Sequence, residues 1–227
     1  MQVHPIPLHF YAFLSALALV LCPARPDPDP LQDFCVALSA MHPLSYFPSI
    51  NGAPCVNPNL VRTSHFATSA LSNPGNPKSN SFGFDVTVTN TSNLPGINTM
   101  GLSMARVDIV PHGVVPPHSH PRASEVTVCL EGVIHVGFVD TSNRLFAQIL
   151  RSGESFVFPK GLIHYMYNID STRPALSLSG LNSQNPGVQI SSISNFVSEP
   201  QIPDDVLRKA FMITGQDIAK IRANLGG

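Results

Sequence analysis

From residue 101 to about 190 the chain is a succession of short strand candidates. "GLSMARVDIV", "EVTVCLEGVIHVGFVD", "NRLFAQILR", "ESFVFP", "IHYMYNI" and "ALSLSGLN" are rich in Val, Ile, Phe and Tyr, and Gly, Pro and Asn turns separate them. Strands this short and this regularly spaced cannot each bury a face alone. They close against one another, as an antiparallel sandwich or a barrel. A further strand-like run, "FGFDVTVT", precedes them in a segment of Asn, Ser, Pro and Gly over residues 56–100. The expected fold class is therefore all-β. With 227 residues of which 43% are hydrophobic, the chain can fill one such core and carry appendages.

The two ends read differently. Residues 6–21, "IPLHFYAFLSALALVL", form an apolar run too short for a comfortable membrane span, followed by small residues at Cys22 and Ala24. This predicts a signal peptide over 1–24 and an exported, soluble product. Residues 25–60 read as an N-terminal extended segment with a disulfide loop, beginning in the proline-rich "RPDPDPLQDFC". Cys22 is lost with the leader. In an oxidising compartment Cys35 and Cys55 form the natural pair, closing a loop that contributes about 3 kcal/mol. Cys129, inside "EVTVCLE", reads as a small core hydrophobe. Asn90-Thr91-Ser92 is a glycosylation sequon.

After a barrel over 61–200, the hydrophobic period changes to that of a helix over 201–227. In "IPDDVLRKAF" Pro203 opens a helix with two Asp in its first turn. In "TGQDIAKIRANLGG" Thr214 stands as N-cap, with Asp217 three residues later and Ile218, Ile221 and Leu225 along one side. Two amphipathic helices of this kind either pack on their own barrel or reach to another subunit.

Charge excludes several partners. The net charge is −1 and 12% of residues are charged, so no basic field exists to hold nucleic acid or an acidic membrane. The chemistry lies instead in two segments. "PPHSHPRASE" sets His118 and His120 two apart, so an extended strand points both the same way, with Glu125 close behind. "GESFVFPKGLIHYMYN" places His164 after a tight turn at Pro159–Gly161. One strand pair bearing His118, His120 and Glu125, and a later strand bearing His164, can converge inside a barrel. Three imidazoles and a carboxylate with open positions suit manganese or iron better than structural zinc.

These segments resemble the two sequence boxes of the germin family of plant proteins, in the cupin superfamily. "GVVPPHSHPRASEVTVCLEG" matches its Gly, HxH, Glu and closing Gly, and "GESFVFPKGLIHYMYN" matches its Gly, PxG, His and Asn. "PDPLQDFC", "NTMGLSMARVD", "LNSQNPGVQI" and "IPDDVLRKAF" extend the resemblance over nearly all of the mature chain. The resemblance implies a cupin jelly-roll β-barrel with C-terminal α-helices. It also implies a manganese ion on His118, His120, Glu125 and His164, and a disulfide between Cys35 and Cys55. Assembly would be a homohexamer built as a trimer of dimers, in the apoplast or cell wall. His112 and His135 match no ligand position and read as surface or packing residues.

Two departures bear on activity. Oxalate-degrading germins carry asparagines where this sequence has Ala105 and Val115. An amide can donate to a carboxylate oxygen and a methyl group cannot. Oxalate oxidation is therefore not expected, and the resemblance to germin-like proteins implies instead dismutation of superoxide, a small anion, with a role in plant defence or the cell wall. The rival reading is a non-enzymatic, wall-associated or receptor-like binding protein with a structural metal.

Overall fold

The computed structural model describes residues 32–38 and 52–226. The expected leader, 1–24, lies outside them, as does much of the expected N-terminal segment. Strand β1 (Phe84–Val88) is followed by β2 (Ser103–Ile109), β3 (Val114–Ser119), β4 (Glu125–Glu131) and β5 (Val133–Val139). Then come β6 (Leu145–Arg151), β7 (Ser155–Phe158), β8 (His164–Asn168), β9 (Ala175–Leu181) and β10 (Gln189–Ile190). They form two antiparallel five-stranded sheets, ordered β1-β2-β9-β4-β7 and β10-β3-β8-β5-β6.

Alternation explains how the sheets close. Along β2 the buried residues are Ser103, Ala105, Val107 and Ile109, and along β9 they are Ala175, Ser177, Ser179 and Leu181. Both strands thus turn one face inward. The inner faces meet in a core of Val107, Ile109, Val115, Cys129, Ile134, Val136, Leu150, Phe158, Met166 and Ala175. Cys129 is a buried free thiol within that core, as its alternating context predicts. Asn168 is also buried and closes one end of β8. Its amide nitrogen donates to the carbonyls of Val110 (3.0 Å) and Arg173 (2.9 Å).

β3 carries His118 on an extended strand, as the HxH spacing predicts, although Pro116 and Pro117 stand within it. Proline cannot donate to a ladder and is confined to edges and bulges. The pairing of β3 with β8 accommodates it with a register shift between Val115 and His118, where the two prolines stand. The irregularity ends at His118, which faces His164 across the strands.

Cys35 and Cys55 are bonded, with S–S at 2.02 Å. The buried Asn98 ties this loop to the body. Its side chain donates to the Ala53 carbonyl at 2.8 Å and accepts from the Ala53 amide at 2.9 Å. At the other end, α1 (Ser191–Phe196), α2 (Asp204–Phe211) and α3 (Gly215–Leu225) follow the strands. They build a small core of their own from Phe196, Leu207 and Ile218, with Ile221 and Leu225 packed against it. Thr214 and Asp217 form a reciprocal capping box at the start of α3. No helix among the described residues is long and apolar enough to cross a membrane.

Candidate metal centre

His118, His120, Glu125 and His164 come together, each offering one donor atom, and all four donors lie within 4.8 Å of one another. All four side chains are buried, from 2% exposed at His164 to 8% at His120. The expectation of a single strand pair carrying three of them is corrected by the topology. His118, in β3, and His120, one residue beyond it, belong with His164 to one sheet, and Glu125 opens β4 in the other. The site therefore spans the barrel, and only closure of the two sheets assembles it.

Local structure places each ring. Gly161 has φ +75°, a left-handed conformation that glycine adopts without strain, and the turn closes with Leu162 N–H donating to the Pro159 carbonyl. This turn delivers His164 at the first position of β8. Phe158 lies flat on its ring, with centroids 4.4 Å apart and planes 21° from parallel. The ring centroids of His118 and His164 are 4.1 Å apart, and those of His118 and His120 are 5.1 Å apart.

Each Nδ1 is matched to a backbone carbonyl. The partner of His118 is Pro116 at 2.9 Å, that of His120 is Gly187 at 2.6 Å, and that of His164 is Leu162 at 2.8 Å. A carbonyl only accepts, so each Nδ1 carries a hydrogen and Nε2 is the atom turned inward to ligate. Carbonyl anchoring of this type orients imidazoles that ligate metals. His120 Nε2 then lies 2.9 Å, and His164 Nε2 3.5 Å, from Glu125 Oε2. The His164 Nε2 has no hydrogen-bond partner. Lone pairs set against a carboxylate repel unless a cation lies among them. The donor set thus fits a divalent ion with mixed N/O ligation.

Charge distribution agrees. Burial, followed by the neighbouring His164, holds the His118 pKa down to about 4, so this ring is neutral and ready to ligate at ordinary pH. Burial opposes a charge on His120, but its bonds to Glu125 and Gly187 outweigh that and raise its pKa. Burial also favours a neutral Glu125, yet the neighbouring polar groups, the His120 ring foremost, outweigh it and hold the carboxyl well below the usual carboxylate range.

Around the donors, Ala105, Ala123 and Leu181 form a small apolar cluster, and Val115 is buried nearby in the core. Ala105, Val107 and Ile109 do share the internal face. His112 lies away from the donors and meets the Tyr167 hydroxyl at 3.0 Å, while the His135 ring packs edge-on to Tyr165. Asn90 is exposed, in the turn after β1.

Sequence reasoning missed two groups. Arg122 donates from Nε to the Asn185 carbonyl at 2.6 Å and from Nη2 to Asn185 Oδ1 at 2.9 Å. It thereby fixes the loop whose Gly187 carbonyl anchors His120. The second group is Thr127, Ser177 and Ser179, all buried inside the barrel. Their signal is period two: Thr127 stands two after Glu125, and the serines alternate in "ALSLSGLN".

Comparison with known proteins agrees with this geometry. The cupin family profile matches residues 69–219. Germin-like protein subfamily 1 member 1 of Arabidopsis thaliana is 56% identical over 94% of this chain and 98% of its own length. Germin-like protein 3-1 of Oryza sativa subsp. japonica is 51% identical over 96% of this chain and 97% of its own. The structure of an oxalate oxidase in complex with the substrate analogue glycolate superposes with a TM-score of 0.80 at 38% identity, covering 87% of this chain and 96% of that one. A barrel of two five-stranded sheets, a cluster of three histidines and one glutamate spanning it, and identity maintained along almost the whole chain place this protein in the cupin family, among the germin-like proteins.

Proposed function

We propose that this is an exported germin-like protein that holds manganese on His118, His120, Glu125 and His164 and dismutes superoxide without oxidising oxalate. The observation that carries this reading is the set of three carbonyl-anchored imidazoles turned on one buried carboxylate, with His164 Nε2 unpaired. A bound manganese ion supplies reversible one-electron transfer. The chain's residues do the rest. Three neutral rings and one carboxylate leave a divalent ion with a net positive charge, which attracts a small anion into a buried site. The apolar Ala105 and Val115 offer no amide to a second carboxylate. Two missing charge-assisted hydrogen bonds, at roughly 1.5–3 kcal/mol each, cost oxalate about two to four decades in binding.

The same reading takes residues 1–24 as the signal peptide, 25–60 as the disulfide segment, 61–200 as the barrel and 201–227 as an assembly segment. It places a glycan on Asn90 and the product in the apoplast or cell wall, in a defence or wall role, as a homohexamer formed by a trimer of dimers.

A second reading, a wall-associated or receptor-like binding protein with a structural metal, is favoured by one observation. The four donor residues are at most 8% exposed, which narrows access for any substrate. Metal analysis of purified exported protein, with superoxide and oxalate assays on the same sample, separates the two. Turnover of superoxide that tracks manganese content supports the enzyme, and full occupancy without turnover supports the binding protein. In the Ala105→Asn/Val115→Asn variant we expect oxalate affinity to rise by at least tenfold. Robust oxalate turnover by the unmodified protein sinks the argument from missing donors.

A further inference from the structure

Thr127, Ser177 and Ser179 are each at most 1% exposed, and none of their hydroxyls has a hydrogen-bond partner of ordinary geometry. Other buried unpaired hydroxyls, on Thr99, Ser192 and Ser198, are scattered over the fold. These three are neighbours. Ser179 is directly across from Thr127 in the β9–β4 pair and from Ala105 in the β9–β2 pair. Ser177, one step deeper, is across from Cys129 and Val107. Directly opposed residues of a sheet have Cβ atoms about 4.5–5.5 Å apart and diagonal neighbours about 7–8 Å, so the Thr127 and Ser179 hydroxyls lie within reach of one small molecule and the Ser177 hydroxyl within reach of the next. Thr127 is two residues from Glu125 on the same inward face, so the row starts beside the candidate metal centre. The Ser179 hydroxyl is also near enough to Glu125 to favour its ionised form.

The chemistry selects the guest. Buried hydroxyls are almost always satisfied, and each needs both a donor and an acceptor. An anion gains little from three neutral hydroxyls beside an ionised Glu125, and an apolar guest leaves them unpaired. Water meets both needs. We propose that Thr127, Ser177 and Ser179 bind a row of buried water that begins at the metal centre and serves as its internal proton donor. The water site stands by itself, and its proton-donor role rests on the superoxide reading. In that reaction one superoxide gives up an electron and leaves as O2. A second takes that electron and two protons and leaves as H2O2. The row hands over protons along its hydrogen bonds, and solvent restores them.

The test is a high-resolution crystal structure and a kinetic study of manganese-loaded wild-type protein and of the Thr127→Val/Ser177→Ala/Ser179→Ala variant. If the triple variant does not fold, Ser179→Ala replaces it, with Ser179→Thr as the conservative control. Expected are ordered waters on the three hydroxyls of the wild type, none in the triple variant, full metal in both, and at least tenfold slower superoxide turnover with a changed solvent deuterium isotope effect in the variant. Hydroxyls found dry and bonded to backbone carbonyls in the wild type overturn the water site. Equal turnover and equal isotope effects in metal-loaded variant and wild type overturn the proton-donor role. A wild type that holds metal and the waters but never consumes superoxide defeats the superoxide reading and the donor role with it, and leaves the water site standing.

Discussion

Along β9 every inward residue is buried, Ala175, Ser177, Ser179 and Leu181 alike, whereas α2 and α3 bury one residue each, Leu207 and Ile218. The barrel closes its core within one chain because two sheets face each other over their full width. The helices are covered by one another, by α1 and by Val197, Ile202 and Ile213 of the segments that join them. They leave Val206 at 54%, Phe211 at 45% and Met212 at 86% exposed. The barrel fills its own core in a single copy, although its outer face also exposes apolar residues such as Val126 at 49% and Val157 at 57%; the helices fill only a small core and leave much of their apolar surface bare. The difference separates the region that holds the candidate metal centre from one whose exposed apolar face a second copy can cover.

The sharpest way to break this comparison is to remove a donor. His120→Ala or His164→Ala should lower metal content from about one equivalent to almost none, because an open three-donor site loses geometry and leaves the buried Glu125 underpaired. Elemental analysis of the purified variants reads this directly. Retention of a full equivalent by either variant would refute the assignment of that histidine as a ligand.

Removing residues 203–227 tests the other side. We expect light scattering to show the assembly falling to smaller species while the barrel keeps its metal. If the intact mature protein is already a monomer, the exposed helix face has another purpose.

Arg122→Ala should act at intermediate strength. It releases the loop that holds the Gly187 carbonyl on His120, and loss of an outer partner of this kind costs roughly 10–100-fold in metal affinity. Arg122→Lys keeps the charge without the forked geometry and should restore only part of the affinity. Competition with a chelator measures both, and affinities equal to wild type would release Arg122 from that role.

The smallest effect is expected in the helices. Thr214→Ala removes the N-cap of α3 and should cost about 1 kcal/mol in thermal or denaturant unfolding, with metal affinity unchanged. Asp217 is held below the usual carboxylate range, first by the Thr214 hydroxyl and then by its amide. A carboxyl whose folded pKa is depressed stabilises above its unfolded pKa and loses that contribution as pH falls. The cap should therefore weaken below about pH 4, and Asp217→Asn should reduce that part of the acid response.

Strand content was legible because alternation is local. "SMARVDI" and "ALSLSGL" show their inward residues by period two, and "EVTVCLEGVIHVGFV" divides at Gly132, between β4 and β5. The capping box was legible for the same reason, since Thr214 and Asp217 are three residues apart. The extended backbone at His118 was legible from the HxH spacing, but the partners of β3, namely β8 and β10, and the register shift at Pro116–Pro117 were not, because they depend on strands far along the chain.

By itself the sequence determined which residues bear the donors, which faces are apolar and where the hydrophobic period changes, since each depends on neighbours a few positions away. Tertiary structure alone decided that Glu125 approaches the three histidines from the opposite sheet. It also decided that the Gly187 carbonyl, 67 positions from His120, fixes that ring's tautomer, and that Thr127 meets Ser179. These contacts follow from strand register and sheet closure. Register is set by the packing of whole faces, and a slip of one residue would turn Thr127 and Glu125 outward without altering any local pattern.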